Sequence, residues 1–193
     1  RYENGTAAFT EHIILERGDY KIGVFGLTTP SVSVSTRYGK DLPFSFTEGD
    51  ALFAQAQQQV DSLNAAGCDI IICLCHLGLD EYYAPNTADA LAKTVDGIDL
   101  IIDGHSHTRL DFGLAVSDTL IVSTGEYLQT VGVVTVSKEG TLSAELIEES
   151  STINTEVEAL VNTCIEETHE RYNTTVGESQ VFLDGNRNPG VRT

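Results

Sequence analysis

The chain has five histidines, and three of them stand where predicted strands end. His76 closes the apolar run CDIIICLC at residues 68–75, while His105 and His107 follow IDLIID at residues 98–103 within the stretch GHSHT. Imidazole is the commonest metal ligand and binds zinc through a ring nitrogen at about 2.0–2.1 Å. The one-residue gap between His105 and His107 lets the two rings diverge, so that each can serve a different ion of a pair about 3.5–4 Å apart. Gly104 gives the backbone freedom to turn where His105 leaves the strand.

Each of these residues also has a plainer reading. A single histidine at a strand end, such as His76, is more often a hydrogen-bonded rim residue than a ligand. An H-x-H pair by itself also occurs in surface turns. What points to metal is GHSHT after a doubly apolar strand, with another strand-terminal histidine in the preceding unit. The acids that an ion pair needs are not marked by spacing: nothing in the positions of Asp80, Glu81 and Glu126 marks them as ligands, and neither G-D-x-x-D nor G-N-H-E occurs. His12 and His169 lack this context and are read as surface residues.

Histidines at strand ends need a rigid sheet to hold them. YKIGVFGL at residues 20–27 is rich in β-branched and aromatic residues, is stopped by TTP, and predicts a strand followed by a Ser-rich loop. From Thr47 the pattern turns helical, with Thr47 and Asp50 placed to form a capping box. Leu52, Ala56, Val60 and Leu63 then recur on one face until Gly67. CDIIICLC is apolar on both faces, as in a parallel strand covered by helices. Ala88, Leu91, Ala92 and Val95 predict a shorter helix between Asn86 and Gly97, leading into IDLIID. This strand and helix alternation is the rhythm of an α/β sheet, in which functional groups collect beyond the carboxyl ends of the strands.

After residue 118 come shorter strands, TLIVSTG, VGVVTVS and LSAELIEE, with a KEG turn at 138–140 that predicts an antiparallel hairpin. Residues 154–172 form one amphipathic helix with Val157, Leu160, Val161, Cys164 and Thr168 on a stripe. The closing VGESQVFLDGNRNPGVRT is expected to begin a strand and open a second domain.

Composition narrows the function classes. A length of 193 residues suits one domain with at most an appendage. The net charge of −18 repels nucleic-acid backbones and anionic membranes, so no nucleic-acid partner is expected, and an anionic small substrate would need a local cation. No apolar run approaches the length of a membrane span. Cys68, Cys73, Cys75 and Cys164 show neither C-x-x-C nor zinc-finger spacing and are read as small hydrophobes. KIGVFG lacks the full dinucleotide-binding glycine pattern. The chain starts at Arg1 and contains no Met, and is expected to be a processed or excised piece.

KIGVFGLTTP, CDIIICLCHLGLD, GIDLIIDGHSHT, STGEYLQTVGVV and VFLDGNRNPGVRT together resemble the calcineurin-like metallophosphoesterases of the 5'-nucleotidase family, the UDP-sugar hydrolase and ecto-5'-nucleotidase group. The resemblance runs through almost the whole chain. It implies an α/β fold: the later half of a metallophosphoesterase α/β sandwich domain over residues 1–152, a connector helix over 153–173, and over 174–193 the first strand of a truncated second domain. It also implies a hydrolase of nucleoside 5'-phosphates with two divalent metal ions, zinc or manganese. His76 and His105 would serve one ion and His107 the other, and Arg192 would touch the substrate phosphate.

No catalytic residue is expected in this chain. The family's bridging aspartate, asparagine ligand and transition-state histidine belong to motifs upstream of Arg1, and its base-stacking aromatics to segments beyond Thr193, so the chain alone is expected to be inactive. The group is usually exported or cell-surface. Alternatives are a UDP-sugar or 2',3'-cyclic-nucleotide hydrolase, a non-catalytic module, or a mononuclear three-histidine zinc hydrolase. Another copy of the chain, as a homo-oligomer, is a candidate to cover an exposed sheet edge.

Overall fold

The computed structural model describes residues 2, 4–31, 43–148 and 152–182. Strands β1 (His12–Arg17) and β2 (Tyr20–Thr28) are followed by α1 (Asp50–Ala65), β3 (Ile70–His76), a 3-10 turn (Glu81–Tyr83) and α2 (Ala88–Thr94). Then come β4 (Leu100–Ile102), β5 (Leu114–Val116), β6 (Thr119–Val122), β7 (Val131–Val136), β8 (Leu142–Ile147) and α3 (Thr155–Tyr172). The chain divides into two units, Arg1–Glu149 and Ser150–Thr193.

The first unit is built on a six-stranded sheet of order β1-β2-β3-β4-β6-β5, with β7 and β8 as a separate antiparallel pair. β2, β3, β4 and β6 run parallel, and the two edge strands are antiparallel to their neighbours. Sequence patterning did not reveal β1, which pairs with β2 through a two-residue turn from Arg17 to Tyr20 with Gly18 at φ 59°.

The core lies on one face of this sheet. Phe25, Ile71, Cys73, Ile101 and Ile121 point to it from four strands, and Leu52, Ala56, Val60 and Leu63 of α1 with Leu91 and Ala92 of α2 close it. Each large side chain so buried contributes about 1.5–3 kcal/mol relative to exposure. The predicted stripe of α1 is thus the buried one, but its cap differs from expectation. The helix starts at Asp50 with Gly49 as N-cap and no side-chain cap, two residues too late for a Thr47–Asp50 box. The Gly49 N–H donates to Asn86 Oδ1 at 2.7 Å instead, tying the helix start to the entry of α2.

Among the described residues of the first unit, helices cover only one face, which revises the expectation for the doubly apolar strands. On the other face the register partners Leu74 and Ile102 are 48% and 40% exposed. His12 is also not a simple surface residue: it is half-buried, with Nδ1 2.7 Å from Gln59 Oε1 on α1. Among the described residues no helix is long and apolar enough to cross a membrane. In the second unit α3 is capped by Asn154, whose side chain accepts from Glu156 N and Val157 N. No strand occurs among residues 174–182. Arg192 lies outside the described residues.

Candidate metal centre

The site follows from two neighbouring parallel strands that end together. Leu74 of β3 pairs with Ile102 of β4, so the chain leaves the sheet at His76 on one strand and at Asp103 to His105 on the next, at the same carboxyl edge. The two rings meet there, with centroids 4.9 Å apart and planes tilted by 57°. Tyr83, carried by the 3-10 turn, closes the other side of His105 with its ring centroid at 4.2 Å. His105 Nε2 is fully enclosed and has no hydrogen-bond partner among the described residues.

Each ring lies over a glycine of the opposite segment. A Cβ on Gly104 would come within 3.1 Å of His76 Nδ1, and one on Gly78 within 3.4 Å of His105 Cδ2 and 3.2 Å of Ser106 Cβ. The absence of those side chains is what lets the two imidazoles approach. Within GHSHT the backbone is strained: His105 has φ 69° and His107 φ 53°, the left-handed region that costs a non-glycine residue about 1–2 kcal/mol. Hydrogen bonds hold the loop there, from Leu79 N to Ser106 Oγ at 3.0 Å and between Ser106 Oγ and Thr108 Oγ1 at 2.7 Å.

His107 makes no ring contact with this pair. Its Nδ1 lies 2.6 Å from Glu126 Oε2, both side chains being about half exposed. Glu126 is a partner that spacing did not single out, since eighteen residues and two strands separate it from His107. His105 titrates below the ordinary imidazole value, first because of burial and next because of the charge of His76. Asp103 opposes the shift, and His107 adds a lesser lowering.

Asp103 was also missed, because it reads as the polar end of an apolar strand. Its side chain is buried, and Oδ1 accepts from Leu77 N at 2.9 Å, Gly78 N at 3.2 Å and Cys75 Sγ at 3.1 Å. The neighbouring Cys73 thiol, together with burial, pushes the Cys75 thiol up, which keeps it a donor. The spacing Asp103-Gly104-His105, a carboxylate two residues before a histidine, is the signal that could have marked it. Arg109 follows the loop, but its guanidinium is engaged by Asp111 and Glu148.

Among the described residues no three His, Cys, Asp or Glu side chains lie close enough together to hold an ion. What the site offers is a two-imidazole fragment with one enclosed, unpartnered nitrogen. That donor chemistry fits zinc or manganese as part of a larger ligand set.

No family model matches the sequence. The trifunctional nucleotide phosphoesterase protein YfkN of Bacillus subtilis is 32% identical across 96% of this chain. The chain belongs to the 5'-nucleotidase family of metallophosphoesterases. A second family member, the 5'-nucleotidase of Diplobatis ommata, is 33% identical over 60% of the chain. The chain spans only 13% and 18% of the lengths of these two relatives. Among solved structures, the sulfate thiohydrolase SoxB of Thermus thermophilus, in complex with glycerol, superposes with a TM-score of 0.70 at 25% identity. The match covers 84% of this chain and 30% of that one. The mixed α/β architecture is thus that of part of a family domain.

Proposed function

We propose that this chain supplies part of the metal centre of a hydrolase that removes phosphate from nucleoside 5'-phosphates, with His76 and His105 on one divalent ion and His107 on a second. The observation that carries the reading is the His76–His105 pair at the carboxyl edge of the sheet, 4.9 Å apart, with Nε2 of His105 enclosed and unpartnered. An enclosed polar nitrogen is unfavourable unless something binds it, and an ion is such a partner. The printed functions of the relatives, nucleotide phosphoesterase and 5'-nucleotidase, support the substrate class.

Zinc or manganese, when bound, activates a water and neutralises the phosphoryl oxygens. The chain's own residues set the stage for it. Glu126 accepts from Nδ1 of His107, fixing the ring so that Nε2 is the nitrogen it presents. Tyr83 shields His105 from water on one side. Arg109 is committed to two carboxylates, so the substrate phosphate needs another cation, and Arg192 is proposed for that role. The ion site on this reading needs donors besides the three histidines. Export from the cytoplasm belongs to the same proposal and rests on the family resemblance.

The test is phosphate release from AMP, with Zn²⁺ or Mn²⁺, by a full-length protein that carries this sequence, run beside a UDP-sugar and a 2',3'-cyclic nucleotide; the 193-residue chain assayed alone is expected to release none. Release from AMP that EDTA and His105→Ala both abolish is the expected result. Release that neither affects would refute the reading, and preference for either of the other substrates would reassign the reaction. A second reading, a non-catalytic module, is favoured by the lack of a third donor among the described residues. It predicts purified protein without stoichiometric metal and without turnover.

A further inference from the structure

One carboxylate reaches both histidine-bearing segments. Asp103 Oδ1 takes hydrogen bonds from Cys75, Leu77 and Gly78, at 3.1, 2.9 and 3.2 Å. Cys75 and Leu77 are the residues on either side of His76, and Asp103 stands two residues before His105. The backbone flanking one imidazole is therefore anchored to a side chain whose own backbone leads into the other. Thr29 N completes the support by donating to His76 O at 3.1 Å.

The anchor is expensive for the fold. Asp103 is 9% exposed, and its second oxygen, Oδ2, is enclosed with no partner among the described residues. Ser123, 3% exposed, has an enclosed Oγ that is also unpartnered. The two residues come side by side, because Ile102 pairs with Val122 on the adjacent strands just before them. A buried acid with one unsatisfied oxygen is unfavourable. The donors to its other oxygen all come from the segment around His76, so what the side chain holds in place is the site.

On the metal-centre reading above, we propose that Asp103 is a positioning residue: by gathering the N–H groups of Leu77 and Gly78 it sets where the His76 ring lies relative to His105. Two substitutions separate position from charge. Asp103→Asn keeps an acceptor oxygen for the same donors. Asp103→Ala removes the anchor.

In calorimetric titration of the full chain with Zn²⁺ alone, Asp103→Asn is expected to bind within ~3-fold of the wild type and Asp103→Ala to lose about 10–100-fold. NMR cross-peaks between the His76 and His105 rings persist in the Asn variant and disappear in the Ala variant. Two results would overturn the proposal: an Ala variant that melts early yet keeps Zn²⁺ affinity and ring cross-peaks, or an Asn variant with protected Leu77 and Gly78 amides whose affinity falls by ~10-fold or more. Should the Ala variant fail to fold, the Asn variant decides. A wild-type chain that binds no Zn²⁺ would sink the metal-centre reading instead, and the ring cross-peaks would still decide on Asp103.

Discussion

The His76 ring rests on Gly104, so closely that a methyl group at that position would stand 3.1 Å from Nδ1 and 3.6 Å from Cε1. The contact joins the same two strand ends that the Leu77 and Gly78 hydrogen bonds to Asp103 join. Gly104→Ala is therefore expected to push the His76 ring aside by a few tenths of an ångström while the fold persists. Zn²⁺ affinity should fall by about tenfold, in the range seen when groups supporting a metal ligand are removed. Thermal melting beside a Zn²⁺ titration checks this, and a large loss of melting temperature with unchanged affinity would contradict it.

Glu126 and His107 form an exposed pair, so the pair adds little to stability, on the order of 0.5 kcal/mol or less. Its proposed value is orientation. Glu126→Gln should leave the melting temperature nearly unchanged and weaken binding of the second metal equivalent by about 10–100-fold. Equal metal stoichiometry and affinity in the variant would remove Glu126 from the site.

His105 titrates low because of burial and the nearby His76 charge, which gives a pH dependence of known sign. The unfolded chain takes up a proton near the ordinary pKa of about 6.5 and the folded chain only at lower pH. The stability that neutral His105 allows is thus fully present above that value and is lost as pH falls toward the depressed native pKa. Asn tolerates the left-handed backbone at this position and does not titrate. In the absence of metal, the melting temperature of the wild type relative to His105→Asn should fall as pH is lowered from 7.5 to 5. A difference independent of pH would show that His105 is not shifted.

The two faces of the sheet predict opposite tolerances. Ile101 is fully buried between Cys73 and Ile121, and truncating it to Ala should cost about 2–5 kcal/mol in denaturant unfolding. Its neighbour Ile102 is 40% exposed on the open face, so Ile102→Ser should cost less than about 1 kcal/mol. Equal losses at both positions would mean that the second face is covered in solution.

Much of this was legible in the sequence because it depends on local pattern. The helical stripe from Leu52 to Leu63 and the apolar strands ending at His76 and before His105 are periodicities that burial imposes directly. The meeting of His76 with His105 follows from βαβ logic, since parallel neighbours end on the same edge. Glu126 was not legible: it reaches His107 only after β5 and β6 have brought their loop back to that edge. Asp103 escaped notice because an acid closing an apolar strand looks like its solvated end, whereas here the turn after β3 folds over it and supplies donors. The open face was missed for a related reason. A run apolar on both sides predicts cover on both faces, whereas Leu74 and Ile102 lie 48% and 40% exposed.

The most direct test of the metal centre is anomalous diffraction at the zinc edge from crystals of the protein grown with Zn²⁺. The account predicts a peak about 2.0–2.1 Å from an imidazole nitrogen of both His76 and His105. A zinc peak elsewhere in the molecule, with both rings free of metal, would contradict it.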